Sequence, residues 1–299
     1  MTSVSHIALL TTGGTIASSR DENGISRPGS DPLGFALAAD IEVREVLSKD
    51  SSAFDFADMD AVADAVANAL TDPDCVGVVV LHGTDTMEET ALLVDLFHDD
   101  PRPVVFTGAQ RTSDHAEPDG PYNVTAAIEA VRNPSSRGRG VLVSFGGRTL
   151  PARGLMKWHT SDLDAFFGSA QERSVFDRRK ISDTRVDIVA LYPGVDAVAI
   201  DAYLGAGSQG LVLQALGSGN TNSMVVAAVK RATAAGIPVV VTTRVPLGSV
   251  EPSYGGGGGG ADLVDAGAGF SPLRAGQARI LLAVQIASGR DPGILLRER

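Results

Sequence analysis

A chain of 299 residues with 43% hydrophobic content has length for roughly two domains and enough apolar material to bury a core in each. Its 36 acidic against 25 basic residues, a formal net charge of −11, argue against a phosphate-backbone partner, which needs a basic face, and no dense Lys/Arg run reverses that balance. The single Cys75 excludes an internal disulfide, the five histidines show no metal-ligand spacing, and no apolar run approaches the ~20 residues of a membrane span.

The chain opens without a basic n-region, and its first apolar stretch, residues 7–10, is too short for a signal core; with one buried cysteine, this predicts a cytoplasmic protein. His6 to Leu10 reads as a short strand that closes on Thr11-Thr12-Gly13-Gly14-Thr15. Residues 18–32 have neither helical nor strand periodicity and several turn formers, which suits a mobile flap or a hairpin. Residues 33–39 read as helix, 41–47 as extended, and 58–70 as a helix with Met59, Val62, Val66 and Leu70 on one face, with the polar Asp50-Ser51-Ser52 before it. The run Val78 to Leu81 has the all-apolar pattern of a strand covered on both faces in a parallel sheet. Thr86 and Glu89 then stand in the relation of a capping box, predicting a helix that starts at Met87 and buries Leu92, Leu93, Leu96 and Phe97. Between strand and helix lie His82, Gly83, Thr84 and Asp85, at the carboxyl end of a strand, where open α/β sheets collect their ligands.

Residues 103–106 predict another buried strand, 122–131 a helix, and 140–145 a strand ending on Gly146-Gly147. From about Arg185 a smaller unit begins, with strands near 188–192, 210–216 and 237–242, helices near 195–205, 221–235 and 272–288, and a run of six glycines from Gly255 that reads as a flexible surface loop. The pattern predicts an α/β protein with a larger N-terminal parallel-sheet domain over 1–185, a stretch at 186–205 that links to and starts the second domain, and a smaller C-terminal α/β domain over 206–299.

A threonine hydroxyl is a weak nucleophile near neutral pH and needs a base. Thr12 and Thr84 are both candidates, each on a strand-end loop beside a glycine, Gly13 or Gly83, that lets backbone N–H groups approach a developing oxyanion at roughly 3 kcal/mol per donor. Lys157, the only lysine between Lys49 and Lys180, is the candidate base once partly desolvated, with Asp85 to orient it. Taken singly, each has a plainer role: threonines before glycine as turn residues, a lysine as a solvated charge, Ser51 and Ser52 as loop residues, His82 as a packed side chain.

Residues 10–17, LTTGGTIA, and 81–91, LHGTDTMEETA, closely resemble the two signature motifs of the bacterial L-asparaginase family, type I and type II. The resemblance continues through Asp50-Ser51-Ser52, Lys157, Gly217-Ser218-Gly219-Asn220 and Thr243-Arg244-Val245-Pro246, and so covers essentially the whole chain. It implies hydrolysis of L-asparagine to L-aspartate and ammonia, often with some L-glutamine activity, without a cofactor. It also implies a Rossmann-like smaller domain and a homotetramer built from intimate dimers. By motif position Thr12 is the nucleophile that forms an acyl-enzyme, and Thr84, Asp85 and Lys157 form a second triad. Ser51 would bind the substrate α-carboxylate and Asp85 the α-amino group, Gly13, Ser52 and Gly83 would line the site, and Asn220 would come from a neighbouring subunit. The chain departs from the family in three places: residues 18–32 contain no flap tyrosine, Ser52 stands where type II enzymes usually have glutamine, and no acidic residue near Tyr254 matches the one many of them contribute.

Two other readings share these residues. A tRNA-linked amidotransferase component would call for a further N-terminal domain and a basic RNA-facing surface, for which an acidic chain whose first strand begins near residue 6 leaves no room. A non-catalytic amino-acid sensor would have no need of Lys157.

Overall fold

The apolar runs at 7–10 and 78–81 fold as neighbouring parallel strands, and the first domain is built outward from that pair. A computed structural model of the chain describes residues 5–14, 18–20, 26–28, 38–168 and 171–289 and divides it into two compact units, 1–175 and 176–299. In the first unit the strands β1 (His6–Thr11), β2 (Ser18–Arg20), β3 (Ser26–Pro28) and β4 (Ile41–Glu45) precede a 3₁₀ turn, Ser51–Ala53, and helix α1 (Phe56–Ala69). There follow β5 (Cys75–Leu81), α2 (Met87–Phe97), β6 (Val104–Thr107), α3 (Gly120–Arg132), β7 (Val141–Phe145), β8 (Arg148–Pro151), β9 (Leu155–Lys157) and β10 (Phe166–Gly168).

Six strands pair in the order β4-β1-β5-β6-β7-β8, all parallel except β8, which returns antiparallel to β7 through Gly146-Gly147. The alternation expected of a doubly covered sheet is visible residue by residue. Ala8, Leu10, Val78, Val80, Val104 and Phe106 pack with Val62 and Val66 of α1 and Ala91 and Val94 of α2, while Ile7, Leu9, Val79, Leu81 and Val105 meet Val124, Ala127 and Ile128 of α3. Each Val, Leu, Ile or Phe side chain among these, taken fully from water, contributes about 1.5–3 kcal/mol. β9 and β10 form a separate two-stranded antiparallel pair, with Lys157 opposite Phe166. Of the expected flap, β2 and β3 form the hairpin alternative; the helix expected over 33–39 lies almost wholly outside the described residues.

The second unit holds β11 (Val186–Ala190), α4 (Val198–Gly205), β12 (Gly210–Ala215), α5 (Ser223–Ala234), β13 (Val239–Thr243), α6 (Gly260–Asp265), β14 (Gly269–Phe270) and α7 (Ala275–Ala287), with four parallel strands in sequence order. α7 packs so closely on β12 that a Cβ on Gly210 would stand 2.9 Å from Ile286. The glycine run is not the loose loop its composition suggests. Asp262 accepts the N–H groups of Gly257, Gly258 and Gly259 at 2.9, 2.9 and 2.8 Å, and Gly259 and Gly260 are buried at the start of α6. Charge-assisted bonds to one carboxylate offset the entropy that six glycines lose. Among the described residues no helix is long and apolar enough to cross a membrane.

Candidate active site

The parallel strands of the first unit all end at one edge of the sheet, and of the polar residues singled out in the sequence Thr12 follows β1, Ser51 and Ser52 follow β4, and Thr84 and Asp85 follow β5 there. Thr12 leaves β1 fully buried; its N–H and its Oγ1 hydroxyl both donate to the Leu81 carbonyl at the tip of β5, at 3.1 and 3.0 Å. Gly13 and Gly14 follow with φ of +94° and +87°. A Cβ on Gly13 would lie 2.7 Å from the Lys49 nitrogen, and one on Gly14 would lie 2.7 Å from the Gly83 Cα, so the two signature loops touch backbone to backbone.

On the second loop, Lys157 Nζ donates to Thr84 Oγ1 at 2.8 Å and to Asp85 Oδ1 at 2.7 Å. The lysine side chain is 19% exposed and the aspartate 59%. Thr84 Oγ1 in turn donates to Gln110 Oε1 at 3.4 Å, and Gln110 Nε2 donates to the Asp162 carbonyl at 3.1 Å. Lysine, hydroxyl and carboxylate therefore form a continuous hydrogen-bonded set, whereas the Thr12 hydroxyl proton is held by a main-chain carbonyl.

Ser51, buried in its 3₁₀ turn, braces this loop: its Oγ accepts the Asp85 N–H at 3.3 Å and its carbonyl accepts the Thr86 hydroxyl at 2.9 Å. That second bond corrects the capping box expected from Thr86 and Glu89. The helix begins at Met87 as predicted, but Thr86 spends its hydroxyl on Ser51 and makes no side-chain cap. Ser51 also lies so close to Gly83 that a Cβ there would come within 2.5 Å of Ser51 Oγ. Ser52, next in the chain, is exposed. Asn220 belongs to the second unit, where its N–H donates to the Leu216 carbonyl at 2.8 Å and its Oδ1 accepts the Gly260 N–H at 3.2 Å.

His82 is fully buried among Phe54 and Phe106, with Nδ1 2.7 Å from the Gly83 carbonyl and Nε2 without a hydrogen-bond partner. Burial pushes its pKa down to about 4, partly opposed by the bond to Gly83, so the ring is neutral and Nδ1–H is the donor. Nearby, burial pushes the Glu88 carboxyl up to about 7 against the pull of Lys157. The two act oppositely on stability. The unfolded chain binds the histidine proton more readily, so acidification from pH 6.5 to 4 removes about 3 kcal/mol through His82. The folded chain binds the Glu88 proton more readily, so the same change acts through Glu88 in the stabilising direction. We expect His82→Asn, which keeps an N–H donor but cannot titrate, to gain about 3 kcal/mol relative to the parent chain between pH 7 and 4. Urea titrations at both pH values read that difference, and an unchanged gap would refute the neutral, buried ring.

Residues 6–184 match the asparaginase N-terminal family and residues 185–295 the glutaminase/asparaginase C-terminal domain. The chain belongs to the asparaginase family. Like it are the probable L-asparaginase of Deinococcus radiodurans, 35% identical over 96% of this chain and 94% of that one, and the crystal structure of a probable cytoplasmic L-asparaginase from Campylobacter jejuni, which superposes with a TM-score of 0.82 at 28% identity over 98% of each. A glutamyl-tRNA(Gln) amidotransferase subunit of Aeropyrum pernix is 33% identical over 82% of this chain and 66% of its own length.

This asparaginase-family site uses residues that the sequence left without a role. Asp119 accepts the N–H groups of Gln110 and Arg111 at 3.0 and 2.9 Å and so shapes the loop after β6. Gln110 follows shortly after the strand expected at 103–106, but nothing in its spacing pointed to Thr84. Glu88 accepts the main-chain N–H of Lys157. It stands in the first turn of α2, where an acidic side chain also suits the helix N-terminus.

Proposed function

We propose that the protein is an L-asparagine amidohydrolase. Thr12 Oγ attacks the side-chain carboxamide carbon, ammonia departs, and the resulting ester on Thr12 is hydrolysed to release L-aspartate. Thr84, Lys157 and Asp85 handle the proton: the neutral lysine takes the Thr12 hydroxyl proton through Thr84 Oγ1, Asp85 balances the ammonium that forms, and the proton is then given to the departing amide nitrogen, which leaves as ammonia. Ser51 and Asp85 receive the α-carboxylate and α-amino groups, with Gly13, Gly83 and Ser52 around them, and a homotetramer brings Asn220 of a neighbouring subunit to the site. No cofactor takes part, and the compartment is the cytoplasm. The observation that carries this reading is the lysine ammonium bridging Thr84 and Asp85, at 2.8 and 2.7 Å. Mass spectrometry after reaction with an electrophilic asparagine analogue should find the adduct on Thr12; an adduct on Thr84 would exchange the two roles.

The similarity to an amidotransferase component favours a second reading, in which ammonia from glutamine is delivered to a tRNA-bound substrate. A net charge of −11 opposes it, because tRNA is recognised through phosphate contacts. Glutamine-dependent conversion of glutamyl-tRNA by the purified chain would establish it in place of free amide hydrolysis.

A further inference from the structure

The β9–β10 pair that carries Lys157 is not part of the six-stranded sheet. A two-stranded hairpin has little stability of its own, and a lysine side chain has four rotatable bonds. The position of Nζ therefore depends on what fixes the main chain at residue 157. Lys157 lies opposite Phe166, and its N–H donates to the Glu88 carboxylate on the first turn of α2. The same short segment carries both partners of the lysine, Thr84 and Asp85, immediately before that turn. One rigid helix start thus presents the two groups that meet the ammonium and the group that grips the backbone behind it.

We propose that Glu88 is the positioning residue for Lys157: by holding the Lys157 main-chain N–H it registers the β9–β10 hairpin against the Thr84–Asp85 loop and sets where the lysine nitrogen stands. The inference rests on the catalytic role proposed for Lys157. Its physical basis is geometric, since displacement of a catalytic group by about 1 Å can cost on the order of 100-fold in rate. The desolvation of the half-buried Glu88 carboxyl agrees with it, because an acceptor drawn partly out of water makes a stronger hydrogen bond whose loss is expensive.

Three variants test the proposal. Glu88→Gln keeps an acceptor oxygen at the same reach; Glu88→Ala and Glu88→Met remove it, the second with nearly the original volume. Glutamine should hold kcat for L-asparagine within about threefold of the parent, whereas alanine and methionine should lower kcat by roughly 10- to 100-fold with KM changed far less. In parallel, trace labelling of Lys157 by acetic anhydride, quantified by mass spectrometry, should proceed at the parent rate in Glu88→Gln and at a severalfold different rate in the other two. Parent-like kcat and labelling in Glu88→Ala would overturn the proposal, and so would a glutamine variant as impaired as alanine. Failure of both Glu88→Ala and Glu88→Met to fold would also overturn it, by assigning Glu88 to stability alone. A parent protein inactive on asparagine would instead sink the proposed function, and the labelling rates would still report whether Glu88 holds Lys157.

Discussion

Replacing Lys157 by methionine is expected to lower kcat/KM for L-asparagine by on the order of 1,000-fold while leaving the unfolding transition almost unmoved. Methionine keeps most of the apolar stem and removes the nitrogen that bridges Thr84 and Asp85. The small stability effect follows from exposure. Asp85 is 59% exposed, and a pair open to water to that degree contributes about 0–1 kcal/mol. Thr84→Ala should cost a similar factor in rate. The discriminating measurement is the double variant: if hydroxyl and amine act as one relay, Lys157→Met combined with Thr84→Ala is no slower than the worse single change. Losses that multiply would mean that the two side chains serve separate steps, and the relay would have to be abandoned. Ammonia release and thermal melts on the four proteins supply both readouts.

How far the sequence could reach is clear from which physical signals are local. The strands β1 and β5 were legible because a parallel sheet covered on both faces leaves an unbroken apolar run, and the loops after them because polar residues and glycines interrupt that run abruptly. Thr12, Thr84, Asp85 and Lys157 could be named as candidates from strand-end position and residue type, and their roles by motif; spacing says nothing of the 72 and 73 positions that separate Lys157 from its two partners. The less visible parts are those fixed by contacts distant in the chain. The capping box failed because Ser51, 35 residues away, takes the Thr86 hydroxyl. Asp95 gave no warning that it lies fully buried in α2, where the Val141 N–H and the Arg173 guanidinium both donate to its Oδ1 at 2.9 Å. The order of the glycine run depended on a carboxylate, Asp262, whose neighbours in sequence look like ordinary helix.

Gly14→Ala is expected to destabilise the first unit by about 3 kcal/mol and to reduce activity in whatever fraction stays folded. Two costs combine at that position. A φ of +87° disfavours any Cβ by roughly 1–2 kcal/mol, and the new methyl would meet the Gly83 Cα at 2.7 Å, a backbone atom that cannot swing aside. Relieving that contact means separating the loop after β1 from the loop after β5, which displaces Thr12 from Thr84. Gly138 isolates the first cost, since its φ is +71° and nothing lies within 4 Å of where its Cβ would be. Gly138→Ala should therefore lose only about 1–2 kcal/mol and keep the parent kcat. Denaturant midpoints for the two variants, compared at equal m-value, measure the part that belongs to the contact between the loops. Were both substitutions to shift the midpoint equally, with kcat preserved in each, the close approach of Gly14 to Gly83 would contribute nothing to holding the two hydroxyls in place, and the site would owe its geometry to the strands alone.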